Sequence, residues 1–294
     1  MSHGLLTLPE TQLEPLRHAY AHARLKKRAQ LLLATALLLG AIFLSAITAE
    51  VRVDTLIAHI DRLSGYIARI FYLENHQPVW TDPAEWFWGI KKWLRLIGET
   101  LIIAYLGTII GALGAFVLCF FAAANVAMNR VLRWFAVRFL EFCRTVPELV
   151  FALLFVASFG LGPLPGILAL AIHTLGALGK QYSEVVENAD MKPFEGVTAT
   201  GATWPESVRF AILPQVLSNF ASYGLLRFEI NVRESAIIGF VGAGGIGQDL
   251  LVAVRRFYYS DVSAIVLLIL ARVAIIDLAT ERVRRHLIGR EQAP

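Results

Sequence analysis

The chain has 294 residues, 56% of them hydrophobic and 17% charged, with a mean hydropathy of +0.59. A soluble domain carries about 25% charged residues, so this composition excludes an ordinary soluble globular protein and points to a chain whose solvent is largely lipid. The net charge of +4 sits beside apolar segments and sets aside a nucleic-acid surface, while the two cysteines, Cys119 and Cys143, form no CxxC and no Cys/His spacing, so neither metal nor cofactor is expected.

A membrane-crossing helix needs about 20 mostly apolar residues. Residues 1–30 form a mixed-charge segment ending in Arg24, Lys26, Lys27 and Arg28, and Leu31 to Ala49 are 19 residues without a charge. That run is too long for a signal-peptide core and its leading segment is mixed in charge, so 31–49 reads as a retained anchor. Residues 50–98 nearly balance acids and bases. Val51, Leu56, Ile57, Ile60, Leu63 and Ile67 recur at helical spacing there, followed by Trp80, Trp86, Trp88 and Trp93. Tryptophan favours the headgroup level, so a helix along the outer membrane interface is expected.

Residues 99–285 hold the remaining spans. Leu101 to Ala127 is the second. Val150 to Gly179 has 30 uncharged residues broken by Gly160, Gly162, Pro163, Pro165 and Gly166, and reads as two short spans joined by a tight turn. Val216 to Phe240 is a fifth span interrupted by charges. Val262 to Ala279 is a sixth, with Arg272 and Asp277 inside it, and 286–294 form a tail. The expected fold is an all-α integral membrane protein with six transmembrane helices. Lysine and arginine gather after the second span (Arg130, Arg133, Arg138, Arg144), the fourth (Lys180, Lys192, Arg209) and the sixth (Arg282, Arg284, Arg285, Arg290). The positive-inside rule then places these loops and both termini in the cytoplasm.

Between the fourth and fifth spans lies a polar stretch, 180–214. Its centre reads Glu195-Gly196-Val197, three residues, Gly201, nine residues, then Ala211-Ile212-Leu213-Pro214. This resembles the EAA loop of ABC importer permeases, whose pattern is Glu-Ala-Ala, three residues, Gly, nine residues, then Ile-x-Leu-Pro. Gly196 and Val197 replace the two alanines and Ala211 the isoleucine. Gly201 suits a sharp turn or close crossing, and Pro205 suits the first turn of a short helix. Tyr182-Ser183-Glu184 to Asn188, Lys192 to Gly196, Arg227-Phe228-Glu229-x-Asn231-Val232-Arg233 and Val241 to Gly247 are similar to phosphonate-type permeases. The resemblance implies a type I ABC importer permease fold in a bacterial inner membrane and a solute that is phosphonate, phosphite or a related oxyanion. It implies that Glu195, Gly196, Val197, Gly201, Ala202, Leu213 and Pro214 couple the chain to a separate ATPase. Its implied partners are two ATP-binding subunits, a periplasmic or lipid-anchored substrate-binding protein, a second permease chain (most simply another copy) and membrane lipid. Methionine-type permeases share the glycine string, so methionine is the rival solute.

Charges inside a membrane cost roughly 2.5 to 3.5 kcal/mol each on insertion scales, and so face partners or water. Arg227, Asn231 and Glu234 fall on one face of the fifth span, with Glu229 and Arg233 nearly opposite. Glu229 and Arg233 are spaced for a helical ion pair. Arg227 has no acid three or four residues away, which predicts that it turns to another helix, another subunit or a solute. Its guanidinium fork suits a tetrahedral oxyanion. Arg227, Asn231, Glu229 and Arg233 are the candidate pathway residues. Gly242, Gly244, Gly245 and Gly247 satisfy G-x-G-x-x-G, but a dinucleotide site needs an acid about 20 residues on, and Asp261 and Asp277 are misplaced for it. A membrane oxidoreductase is therefore disfavoured. The string reads as a flexible or closely packed turn that forms part of an outer gate. His173 is expected to bond to backbone. No phosphate-binding loop or catalytic constellation is present, so the chain is read as a transporter subunit and not an enzyme.

Overall fold

The computed structural model describes residues 10–49 and 53–289. Expectations placed on residues 1–9, 50–52 and 290–294, Val51 and Arg290 among them, lie outside the described residues. The chain divides into two units, Met1–Gly65 and Tyr66–Pro294.

The first unit contains α1 (Glu10–Thr48), α2 (Val53–Ala58) and the first half of α3 (Ile60–Ile70). The helix that contains the stretch expected as an anchor, 31–49, begins much earlier, at Glu10. Residues 19–30 are rich in Ala, Leu, Lys and Arg, all strong helix formers, so the helix continues through them. Within α1, Ala19–Thr48 is long and apolar enough to cross a membrane, and its leucines are exposed. The hydroxyls of Thr35 and Thr48 each donate to the carbonyl four residues back at 2.8 Å, so neither threonine leaves a polar group unpaired in lipid.

The second unit is a helical bundle. A 3₁₀ turn at Val79–Thr81 and α4 (Pro83–Trp86) lead into α5 (Ile90–Ala122), α6 (Arg130–Thr145), α7 (Glu148–Phe159) and α8 (Pro163–Glu187). Two short helices, α9 (Lys192–Ala199) and α10 (Trp204–Ser207), precede α11 (Leu213–Ile238), α12 (Ile246–Arg255) and α13 (Tyr259–Gly289). The bend of 85° between α6 and α7 falls at Val146-Pro147. A residue before proline is driven out of the helical region, and Val146 sits at ψ 122°.

Helix α8 is the axle, packed by α5, α6, α7 and α11. Small residues make this possible. A Cβ added to Gly107 would lie 2.7 Å from the Leu170 side chain, and one on Gly111 2.6 Å from the Ala171 carbonyl. On the other flank of α8, a Cβ on Gly176 would lie 2.5 Å from the backbone of Arg144. At one end of the bundle Tyr182 stacks on Phe220 with ring centroids 4.1 Å apart, and its hydroxyl donates to the Phe220 carbonyl at 2.9 Å.

By length and composition three described helices can cross a membrane, or up to five if each of the bent pairs α6–α7 and α10–α12 is one span. The expected tally of six differs because it includes α8. That helix is 25 residues long, about 37 Å at 1.5 Å per residue, and α7 meets it across the tight turn foreseen at 160–162. It carries prolines, glycines, His173 and Lys180 rather than an unbroken apolar surface. Enclosed by four neighbours, it has little lipid to satisfy.

Candidate functional site

Pro205 was expected to suit the first turn of a short helix, and the α8–α11 connection folds as two short helices, α9 and α10. Gly201 between them takes φ +87°, a left-handed conformation that costs other L-residues about 1–2 kcal/mol. A Cβ there would meet nothing within 4 Å, so conformation and not space requires the glycine. Pro205 lies in the first turn of α10 and Pro214 in the first turn of α11. The connection starts later than its polarity suggests, because α8 runs on through Glu187. Between α10 and α11 the backbone widens into a π turn at Val208–Ile212.

Hydrogen bonds and stacking clamp this connection to the bundle. The Trp204 indole stacks on Phe121 at 5.4 Å, and its Nε1 donates to the Val126 carbonyl at 2.7 Å. Gln215 bridges to Asp190 by accepting from its amide at 3.0 Å and donating to its carbonyl at 3.1 Å. Thr198 and Ser207 join α9 to α10 at 3.2 Å. The Glu206 carboxylate accepts from both the amide and the hydroxyl of Thr203 at 2.7 Å, which holds its pKa below the ordinary carboxylate value. Glu195, Gly196, Gly201 and Pro214 are exposed, while Val197, Ala202 and Leu213 are half-buried. The connection is thus held to the bundle while Glu195, Gly196, Gly201 and Pro214 remain on its surface.

The second group lies in the middle of α11, where two faces carry different charges. On one, Glu229 pairs with Arg233 at 2.7 Å as their spacing predicts, and α13 adds Asp277, 3.6 Å from Arg233. Arg272 of α13, 5% exposed, donates Nη2 to the Val232 carbonyl at 2.7 Å; its Nε and Nη1 have no partner among the described residues. On the other face, Arg227 is 8% exposed. Here the expectation from spacing is corrected. Arg227 does meet an acid of its own helix, since its Nη2 lies 3.1 Å from Glu234 Oε2. Seven residues span about 10 Å of helix, but an arginine and a glutamate leaning toward one another are long enough to close it. Arg227 Nε lies 3.4 Å from the Thr174 hydroxyl, which also accepts from Asn231 at 2.8 Å. Asn231 donates further to Thr108 at 2.8 Å, and its Oδ1 is buried without a partner among the described residues.

Two groups that spacing did not reveal complete this face. Glu148 opens α7 and interacts electrostatically with Arg227 and Glu234. His173 bonds to the Val146 carbonyl at 3.2 Å, as expected of a core histidine, and also stands 3.7 Å from Glu148. Beside them opens a polar cleft of about 340 Å³ lined by Arg144, Thr145, His173, Ala177 and Gln181. The one available signal for Glu148 was an acid standing at the head of an apolar run. Nothing in the sequence signalled Thr108 or Thr174.

The third group is the glycine string. Gly242, Gly244 and Gly245 have φ of +87°, +83° and +77°, and every residue from Gly242 to Gly247 is buried. Gly245 and Ile246 donate their amides to Glu99 Oε1 at 3.2 Å and Thr100 Oγ1 at 2.9 Å, and Gly162 donates to the Gly242 carbonyl at 3.1 Å. A Cβ on Gly247 would fall 1.8 Å from the Ala236 carbonyl. Of the two readings of this turn, flexible or closely packed, the packing is close. Thr100 and Phe121, which touch the two ends of the bundle, are about 32 Å apart along α5 at 1.5 Å per residue.

A family model described as binding-protein-dependent transport system inner membrane component matches residues 107–291. The sequence is 40% identical over 200 residues to the phosphite transport system permease protein PtxC of Stutzerimonas stutzeri, covering 68% of this chain and 73% of that one. It is 40% identical over 190 residues to the phosphate-import permease protein PhnE of Mycolicibacterium smegmatis, covering 65% of this chain and 36% of that one. Among solved structures, the MetNI methionine ABC transporter in inward-facing conformations is similar in fold. The TM-score is 0.57 at 20% identity, over 66% of this chain and 95% of that one.

Proposed function

We infer that this chain, which belongs to the family of binding-protein-dependent transport system inner membrane components and is an ABC transporter subunit rather than an enzyme, carries a phosphorus oxyanion, phosphite or a phosphonate, inward through the membrane. The observation that carries the solute class is the 40% identity, over two thirds of the chain, to a phosphite transport system permease protein. A buried arginine flanked by hydroxyl and amide groups in the bundle supports it, because a guanidinium fork and neutral donors match a tetrahedral oxyanion.

In this reading the exposed residues of the α9–α10 connection, with Glu195, Gly196 and Gly201 at their centre, seat in a groove of the ATPase. The clamps at Trp204 and Gln215 would carry its movement into α11. One chain has one such connection, and a pair of ATP-binding subunits needs two, so the complex holds two permease chains, most simply two copies related by a two-fold axis. A substrate-binding protein delivers the solute on the opposite side. The connection and both termini are then cytoplasmic, and the Gly242–Gly247 turn stands at the outer end of α11. Its tight packing suits a fixed sill against which other parts move. The solute passes the Arg227 face, with Asn231 beside it, while Glu229 and Arg233 hold α11 to α13.

Uptake by cells expressing the chain with its ATPase and binding protein tests this, with methylphosphonate, phosphite, phosphate and methionine supplied separately. Uptake of a phosphorus oxyanion is expected. Uptake of methionine alone would keep the transporter and discard the solute class.

A further inference from the structure

We propose that the Glu234 carboxylate is a built-in stand-in for the solute: at rest it occupies the guanidinium of Arg227, and an arriving phosphorus oxyanion takes its place. This rests on the reading of the chain as an oxyanion permease. Three observations carry it.

The first is the pairing itself. Glu234 reaches Arg227 across seven residues of α11, with Nη2 and Oε2 3.1 Å apart. The remaining contacts of Arg227 are slack. Nε reaches Thr174 at 3.4 Å, and Nη1 has no hydrogen-bond partner among the described residues. A buried guanidinium with spare donors can accept a second set of oxygens without dismantling a filled network.

The second is the charge count. One guanidinium is faced by two carboxylates, Glu234 from its own helix and Glu148 from α7, with His173 of α8 beside Glu148. Like charges close together in a poorly solvated site repel strongly. An oxyanion therefore cannot settle on Arg227 while both carboxylates stay. Glu234 has Arg227 as its one ion-pair and hydrogen-bond partner among the described residues, with Arg233 a further attraction beyond ion-pair distance, and is the one free to leave.

The third is access. The polar cleft of about 340 Å³ is lined in part by His173, which stands 3.7 Å from Glu148; Arg227 and Glu234 do not line it, so an oxyanion held there must pass His173 and Glu148 to reach them. Liquid water takes about 30 Å³ per molecule, so the cleft has room for a small hydrated oxyanion. A competitor carried on the same helix acts at an effective concentration on the order of millimolar or more. Net retention of the solute is thereby weak, which a permease needs for release, and Arg227 is never left bare in the empty chain.

The test uses the full complex in detergent without the binding protein, with radiolabelled phosphite in equilibrium dialysis, alongside ATP-driven phosphite uptake in cells. In Glu234→Gln the stand-in is gone, and phosphite should bind at least tenfold more tightly than to the native complex. Adding Arg227→Gln should abolish the gain. The charge exchange Arg227→Glu with Glu234→Arg preserves an ion pair but destroys the oxyanion seat. It should reach the membrane at native abundance with uptake reduced more than tenfold. Unchanged phosphite binding in Glu234→Gln, or native uptake in the exchanged pair, would make the pair structural and overturn the proposal. So would failure of both variants to accumulate, since the fold itself would then need the pair. Absence of phosphorus-oxyanion uptake by the native complex would instead overturn the underlying reading of the solute.

Discussion

Gly201 and three glycines of the 242–247 string, Gly242, Gly244 and Gly245, adopt left-handed backbone, yet their surroundings are opposite. Around Gly201 there is empty space, and the residue is exposed. Around Gly245 and Gly247 there is none. A Cβ would fall 2.4 Å from Thr100 Oγ1 in one case and 1.8 Å from a carbonyl in the other. One turn has open space around it, and the other is filled by the chain itself. Substitutions at the two should therefore separate function from folding.

The largest effect is expected for Gly247→Ala. The new methyl collides with rigid backbone of α11, and overpacking of this kind costs about 3 kcal/mol. Thermal unfolding in detergent should show a lowered Tm, and membrane abundance should fall. Native abundance would break the contrast. Gly201→Asp should leave abundance near native while phosphite uptake falls more than tenfold, because charge and bulk are placed where the ATPase is proposed to seat. Unchanged uptake would remove Gly201 from the coupling surface. Trp204→Phe keeps the stack on Phe121 but loses the bond to the Val126 carbonyl, at a cost of about 1 kcal/mol. Uptake should drop a few-fold if a firmly held connection matters to coupling.

The smallest expected effect concerns Glu206. Bonds from Thr203 depress its pKa, so its contribution to the folded connection is complete above the ordinary carboxylate value and is lost as pH falls through the depressed one. Glu206→Gln should blunt the acid dependence of ATPase association measured with purified subunits. An identical acid profile in both proteins would show that this cap plays no part.

What could be read in advance follows from the range of the interaction involved. The break at Pro163 and the Glu229–Arg233 pair depend on local pattern and stand where spacing placed them, whereas the first helix starts earlier than its apolar run and the tally of spans differs. The Arg227–Glu234 pair escapes the rule of three- and four-residue spacing because two long side chains reach across seven residues. Glu148 and Thr174 come to Arg227, and Thr108 to Asn231, from three other helices, and their convergence depends on how α5, α7 and α8 cross. The glycines at 107 and 111 make the crossing of α5 and α8 close. Spaced within long apolar runs, they look like ordinary membrane sequence until the helices are packed.

The π turn at Val208–Ile212, closed by the Leu213 amide donating to the Val208 carbonyl, has a consequence for everything beyond it. An α-helix turns about 100° per residue, so the extra residue accommodated there sets the phase of α11. That phase directs Arg227 and Asn231 toward Thr174, and Glu229 and Arg233 toward α13. If this wide turn tightened to α-helical geometry, α11 would rotate about its own axis. An arginine deep in the bundle would then be re-aimed from the rim, by the twist of a screw and not only by the push of a lever.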